Sequence, residues 1–441
     1  MKKKICLVWL ALAALLFSGC GLRTVEEMYA LPRRSYAYSQ LQAAIDSAMS
    51  GLTYSAPVSG ENRQSVQMAD LDGDGVEEYL IFASDNSDKP LKVLIFAETG
   101  DGSCRLVETI ECNGAAFEQV EYVQMDNKPG CELVIGRQVS DQVLRSVSVY
   151  TYSSGTAQQQ LLIGYSKFLT CDLDENGRSE LMVIRPGEEQ TQRGMAVLYN
   201  FRGSQLERST ETELSKDPSN IRRISYGHLQ CGTPAIFVAS SADDIAIVTD
   251  IFALKDQKFT NITYSGEADT SIGTLRNYYV YADDIDEDGI LELPGIIEMK
   301  PIASWQDQDQ DFLLRWFSLD VNGLEMDKVY TFHNFGDGWY LELDSALATR
   351  ITVDQRADIY FFNVWDAMYD KAKPVYTLYV LTGSDRDEES VRDGRFPLYR
   401  TETVAYAAKL ESGAEEYGIT EEALISSFKM IRRDWRTGET Q

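Results

Sequence analysis

Histidine is almost absent from this 441-residue chain; His228 and His333 are the two it has. Two imidazoles cannot build a multi-histidine zinc or copper site, although oxygen-ligand sites for hard cations stay open. Basic residues are also scarce, with 41 Lys and Arg against 69 Asp and Glu, for a formal charge of −28. That balance argues against a nucleic-acid partner, because a phosphate backbone is held by clustered Lys and Arg that release counterions. Long apolar runs are confined to Ile5–Phe17, 13 residues and short of the roughly 20 needed to span a bilayer. Gly-x-Ser-x-Gly, His-Glu-x-x-His and phosphate-loop motifs are missing, so the common hydrolase, zinc-protease and nucleotide signatures find no support. What remains is a foldable composition, 44% apolar and 11% aromatic with ordinary Gly and Pro, unlike a disordered or collagen-like chain. The length predicts roughly two to four domains.

The first residues read as an address. Three lysines precede the apolar run, and Phe17-Ser18-Gly19-Cys20 follows it. This is the order of a signal peptide, predicted over residues 1–19, and its last four residues resemble a bacterial lipobox, whose cysteine is lipidated and becomes the first mature residue. The resemblance implies lipidation at Cys20, anchorage in the cell membrane through the lipid, and exposure on the extracytoplasmic face. Residues 20–61 read as a lipidated tether with a short helix: Ser39 suits an N-cap, Leu41, Ile45, Ala48 and Met49 share one face, and Gly51 ends it. Its polar face lacks lysines, so it is expected to pack on the next domain. Arg33 and Arg34 are read as solvated charge.

Once Cys6 and Cys20 are set aside, Cys104, Cys112, Cys131, Cys171 and Cys231 remain. An odd number cannot form a complete disulfide framework. Cys104 and Cys112 bracket a short segment and could pair, and the others are expected to pack as small apolar side chains.

From about residue 62 a pattern recurs. Asp70-x-Asp72-Gly-Asp74-Gly75-x-x-Glu78 precedes Tyr79–Phe82, Asp172-x-Asp174-x-Asn176-Gly177-x-x-Glu180 precedes Leu181–Ile184, and Asp284-x-Asp286-x-Asp288-Gly289-x-x-Glu292 is the third complete copy. Degenerate copies lie between them at 124–132 and 227–235. The third loop positions, read as 72, 126, 174, 229 and 286, are spaced by 54, 48, 55 and 57 residues. A period near 50, with β-prone runs such as Leu91–Phe96, Ser146–Tyr152 and Met195–Phe201 between the loops, suits a propeller blade of three or four strands.

Alternate carboxylates around a glycine turn converge on one point, the donor set that Ca²⁺ prefers. In the first loop Asp70, Asp72, Asp74 and Glu78 would supply carboxylates and Val76 its carbonyl. In the others the candidates are Asp172, Asp174, Asn176, Arg178 (carbonyl) and Glu180, then Asp284, Asp286, Asp288, Ile290 (carbonyl) and Glu292. An EF-hand is excluded because its final Glu belongs at position twelve, where the first loop has Ile81, and because Tyr79–Phe82 is β-prone. These residues resemble the FG-GAP/VCBS-type repeats of integrin-α-like β-propellers, whose hairpin loops carry calcium with this spacing. The resemblance covers 62–335. It implies a mainly β chain with five detected repeats, up to seven blades, and about three Ca²⁺ sites. Calcium is expected at alternate repeats: Lys128 stands where the second loop needs a ligand, and Leu229 and Ala235 remove ligands from the fourth.

Residues 336–441 read as a separate small α+β domain: strands near 339–343, 350–353, 359–364 and 375–381, then a final helix capped by Thr420. Leu424, Phe428, Ile431 and Trp435 would form its apolar stripe, with Arg432, Arg433 and Arg436 near its C-terminal end. The carboxylate clusters fit structural cation sites and leave no evident catalytic set. The sequence therefore favours a surface lipoprotein whose calcium-stiffened propeller binds a protein or glycan partner. The alternative is a surface enzyme acting on polysaccharide or peptide with Asp/Glu acid–base pairs, for which Asp243-Asp244 and Glu388-Glu389 are available.

Overall fold

A computed structural model describes residues 36–99, 103–139, 144–187, 193–243, 246–277, 280–299, 312–366 and 371–432. The signal peptide, Cys20, Arg33, Arg34, Asp244, Arg433, Trp435 and Arg436 lie outside the described residues. The protein is mainly β. Its described strands form six antiparallel sheets that follow one another along the chain.

The first sheet runs Val66–Ala69, Glu78–Ser84, Leu91–Glu98 and Cys104–Cys112, with Thr53–Tyr54 also paired to Glu78–Ser84. The second comprises Ala116–Val123, Glu132–Gln138, Arg145–Ser153 and Thr156–Tyr165, and the third Lys167–Cys171, Glu180–Pro186, Gly194–Arg202 and Gln205–Glu213. The fourth is Ile221–His228, Pro234–Ser241, Ile247–Lys255 and Lys258–Asn261. Apart from Thr53–Tyr54, every strand after the first in each of these four pairs with its predecessor, so short hairpin connections build the sheet.

Why the sheets stack is written in their second strands, which are nearly continuous apolar runs because both faces are covered. Successive side chains point to opposite faces. Leu133 and Ile135 accordingly join Leu80, Phe82, Val93 and Phe117 in the layer between the first and second sheets, whereas Val134 joins Leu181 and Val183 between the second and third. Met182 and Ile184 then meet Ile236 and Val238 between the third and fourth, while Ala235 and Phe237 meet Leu293 and Phe317 of the fifth. The second, third and fourth sheets are thus buttressed on both sides.

The outward face of the first sheet is covered by the helix Tyr36–Ala48, whose Leu41 and Ile45 pack on Ile81, Leu94 and Phe96. The packing is as expected, although the helix begins three residues before Ser39, the anticipated cap. At the other end, the fifth sheet (Leu293–Glu298, Phe312–Leu319, Glu325–Asn334, Trp339–Leu343) packs on the sixth (Ile351–Arg356, Ile359–Asp366, Lys371–Thr382, Val404–Leu410, Phe396–Arg400) through one cluster. That cluster joins Leu313, Phe332 and Trp339 to Phe362, Tyr376 and Tyr406.

Three expectations are revised here. The division expected at 335/336 falls inside the fifth sheet, between strands paired from Asn334↔Trp339 to Tyr330↔Leu343. The final helix spans Glu421–Ser427, capped by Thr420 as expected, but Phe428–Met430 leaves it as a strand on Trp339–Leu343. The ring stacking of Phe428 on Trp339, with centroids 5.6 Å apart, favours that extended conformation over a continued helix. Finally, Cys104 and Cys112 stand at opposite ends of one nine-residue strand and are both free. At about 3.4 Å per residue they lie far beyond the roughly 7 Å that a disulfide can bridge.

Candidate metal centre

Each complete loop joins the first and second strands of its sheet, or, in the fifth, the bridge residue Asp283 to Leu293–Glu298. Its backbone is shaped by glycines at the sixth position, Gly75, Gly177 and Gly289, with φ of +87°, +81° and +85°. Only glycine adopts this left-handed region without steric cost. The turn aims backbone N–H groups at the first aspartate: Gly75, Gly177 and Gly289 donate to Asp70, Asp172 and Asp284 at 3.0, 2.7 and 2.9 Å. The ninth-position glutamates reach back across the turn. Leu71 N donates to Glu78 Oε2 at 2.9 Å, Leu173 N to Glu180 Oε2 at 2.8 Å and Ile285 N to Glu292 Oε2 at 3.1 Å.

This arrangement gathers three clusters among the described residues: Asp70, Asp72 and Glu78; Asp172, Asp174 and Glu180; Asp284, Asp286 and Glu292. In each, one oxygen per residue lies within 4.8 Å of the others. Glu78, Glu180 and Glu292 are buried. Burial, with neighbouring aspartates adding to it, pushes their carboxyls up to about 7, 7 and 8. Three like charges at this spacing are costly unless a cation or protons neutralise them. The donor chemistry fits a hard divalent ion, and Glu292 supplies a sharper indication: the residue is fully buried, one oxygen holds Ile285 N, and Oε1 has no hydrogen-bond partner.

The fifth-position residues behave differently from the expectation. Asp74 and Asp288 fall outside these clusters, each accepting a bond from the N–H two residues on, Val76 at 2.8 Å and Ile290 at 2.9 Å. Asn176 Oδ1 accepts from Arg178 Nε at 3.0 Å. Nothing in the local motif pointed to Lys328, which lies on Glu325–Asn334, the third strand of the same sheet. Its ammonium bonds Asp288 Oδ2 and stands 3.9 Å from Asp286 Oδ2, so the third cluster has an internal cation that the first two lack among the described residues. A lysine 40 residues away carries no sequence signal for this role.

The degenerate loops keep the scaffold and lose the donors. In the second, Glu132 Oε2 accepts from Met125 N and Asp126 N at 2.7 and 3.2 Å, the same pin as in the complete loops. Lys128 Nζ sits 3.3 Å from Asp126 Oδ2, in keeping with an ammonium replacing an ion. The fourth loop needs a corrected register. Leu229 is fully buried like Leu71, Met125, Leu173 and Ile285, so it occupies the second position rather than the third. The loop is shorter, and the Thr233 carbonyl, 2.8 Å from Leu229 N, replaces the missing glutamate.

Neighbouring loops touch. Ser179 N donates to the Gln124 carbonyl at 2.7 Å and Leu291 N to the His228 carbonyl at 3.0 Å, so each of these complete loops is bonded to the degenerate loop before it. Cys131 Sγ donates to the Asp70 carbonyl at 3.3 Å, joining the first loop to the second. Of the acidic pairs considered for catalysis, Glu389 is engaged by Arg392 and Arg395.

No protein-family model matches the chain, and no curated protein does. Among solved structures it is similar to the rhamnogalacturonan lyase YesW (15% identity, 73% of this chain, 64% of that one, TM-score 0.32). It is also similar to the exotype rhamnogalacturonan lyase YesX (14%, 74% and 65%, TM-score 0.28). A further match is a protein from Lactobacillus plantarum (12%, 72% and 85%, TM-score 0.29). The chain spans just under two thirds of the length of the two lyases.

Proposed function

We propose that this chain is an FG-GAP/VCBS-like, calcium-stabilised β-propeller of five blades, followed by a sixth sheet, that acts as a binding module for a protein or glycan at the cell surface. The observation that carries the reading is the repetition of one three-carboxylate cluster at the same loop of the first, third and fifth sheets. The inner segments of five consecutive sheets also line one common cavity, as blades line an axis. Ca²⁺ is the ion of choice because the donors are hard oxygens, with the carbonyls of Val76, Arg178 and Ile290 available to extend coordination beyond the carboxylates. Bound there, calcium supplies charge neutralisation. The protein supplies the rest: glycine turns orient the first aspartate, and the ninth-position glutamate pins the loop while offering its second oxygen.

Anchorage would come from lipid on Cys20, with the 20–61 segment as tether and the protein on the extracytoplasmic face. Calcium titration of the protein from residue 21, read by calorimetry and melting temperature, tests the reading. Stabilisation by sub-millimolar calcium supports it. No stabilisation at millimolar calcium overturns it. Membrane fractionation of Cys20→Ala tests the anchor, and unchanged retention rejects lipidation.

A further inference from the structure

A cavity of roughly 980 Å³ lies where the first strands of the sheets meet. Its wall is drawn from Gly60–Arg63 ahead of the first sheet, Gln119–Val123 of the second, Leu169 and Thr170 of the third, Arg223–Tyr226 of the fourth, and Ala282 and Asp283 ahead of the fifth. That volume sits at the upper end of the ~300–1,000 Å³ typical of ligand pockets.

The wall is unusual for its place in the fold. The second strands are apolar and buried almost throughout: Pro234–Ser241 is buried at every position, and Glu132–Gln138 at all but the last. The first strands beside them are half-buried and polar, with Gln119 and Glu121 on one, Arg223 and Ser225 on another. Residues two apart share a face of a strand, so these are matched pairs aimed the same way. Polar groups inside a protein are costly unless they meet water, each other or a ligand. Part of this set is already organised: Gln119 and Thr170 both donate to Glu121, and Arg223 Nε donates to Ser225 Oγ at 3.1 Å.

The charge is balanced, which a chain of net charge −28 does not require. Glu61 and Glu121 are accompanied by Arg63 and Arg223, and Asp283 is paired with Arg432 at 3.2 Å. A strongly charged ligand of either sign would leave half of this set opposed. Amide, carboxylate and guanidinium groups together offer donors and acceptors side by side, the match for a hydroxyl, which both donates and accepts. Tyr122 and Tyr226, on the opposite faces of the same two strands, brace the wall through their hydroxyls, bonded to Gln67 Oε1 at 2.7 Å and to the Asp172 carbonyl at 2.8 Å.

We infer that this central cavity is a binding site for an uncharged, polyhydroxylated ligand, a neutral oligosaccharide. The inference deepens the binding-module reading and rests on it. Through Tyr226 and the Asp172 carbonyl, the cavity wall is also joined to the second complete loop, so the acidic loop supports one side of the site.

Calorimetry of the calcium-saturated protein against maltotriose, cellotriose, xylotriose and mannotriose, with trigalacturonate as the charged comparator, tests it. The expected result is one-to-one binding of at least one neutral trisaccharide with Kd below about 1 mM and none of trigalacturonate. Gln119→Ala should weaken that binding at least about tenfold by removing a polar partner. Ser225→Trp, which places an indole at the cavity wall from the fourth sheet, should abolish it. Both variants are checked for an unchanged calcium stoichiometry, and if one fails to fold the other carries the test. Absence of binding to every neutral sugar overturns the inference, as does equal binding of trigalacturonate. If calcium sites are intact when this happens, the proposed stabilised module survives and the cavity assignment alone fails. Neutral-sugar binding indifferent to both substitutions also overturns it, placing a glycan site elsewhere.

Discussion

The loops at 70–78 and 284–292 share a spacing, a glycine turn and a buried glutamate, yet they have different neighbours. The first is pressed against the second loop: a Cβ added to Gly73 would lie 2.3 Å from Gly130 N and 2.3 Å from Pro129 Cβ. The third complete loop carries Glu287 at that position, with φ of +61°, and accepts the ammonium of Lys328 instead. One loop is coupled by shape and the other by charge. Identical motifs can therefore differ in what they need from a metal, because ligand spacing is local and neutralisation is not.

Four experiments would break or sharpen this contrast. The largest effect is expected for Gly73→Ala, which combines a backbone clash with a left-handed φ of +75° and should cost about 3 kcal/mol or more in chemical denaturation. Gly177→Ala, with a similar φ and nothing within 4 Å of the added carbon, should cost about 1 kcal/mol. Equal losses would show that the first loop is not packed on its neighbour.

Calcium removal comes next. At calcium concentrations of about 100 times Kd each occupied site adds roughly 2.7 kcal/mol, and Asp72→Ala or Asp174→Ala should each delete one such increment. Asp286→Ala should delete much less at low calcium, because Lys328 already offsets its charge. Stoichiometry by calorimetry separates the cases, and three sites of equal affinity would contradict a special role for Lys328.

Lys328→Met addresses the same point from the other side. Removing the internal cation should tighten the third site about tenfold, close to 1.4 kcal/mol. Without calcium the variant should lose about 1 kcal/mol as a partly buried ion pair is broken. Unchanged affinity would mean that Lys328 does not compete with the ion.

A pH dependence is expected in the calcium-free protein. The folded carboxyls of Glu78 and Glu180 are raised to about 7 and that of Glu292 to about 8, above the ordinary 4.5. The folded state then holds more protons than the unfolded one. Stability is fully present below pH 4.5 and is lost as pH rises through 7 to 8, by at most ~1.4 kcal/mol per unit for each group. Buried His333, held down to about 3 from 6.5, acts in the opposite direction, but its effect is complete by pH 6.5. Melting in chelator should therefore fall between pH 6.5 and 8, and Glu292→Gln should flatten the upper part of that fall. A rise over this window would reverse the assignment.

Much of the loop architecture was legible in the chain. Asp-x-Asp with a later Gly and Glu places acidic donors about one turn, and the β-prone runs at Leu91–Phe96, Ser146–Tyr152 and Met195–Phe201 lie within observed strands. Both signals are local: a turn conformation and a period of two. The fourth loop was harder to align because its shortened turn displaced the apolar position by one residue, and burial of Leu229 was needed to correct it. Phe428–Met430 continued a helical stripe in sequence but paired with a strand almost 90 residues earlier. Periodicity cannot weigh such a partner against one more helical turn.

What the sequence determined by itself, then, was the kind of element at each place and the repeated acidic turn, since φ preferences, glycine and side-chain alternation act over a few residues. Tertiary structure decided which turns touch, where Lys328 sits, that Cys104 and Cys112 stay apart, and that polar first strands surround a shared cavity. Strand extension separates the two cysteines and pairing within the fifth sheet places Lys328, whereas the touching turns and the cavity depend on sheets stacking through interleaved apolar faces. That stacking brings Tyr226 to the Asp172 carbonyl, 54 positions away, and Cys131 to the Asp70 carbonyl, 61 positions away.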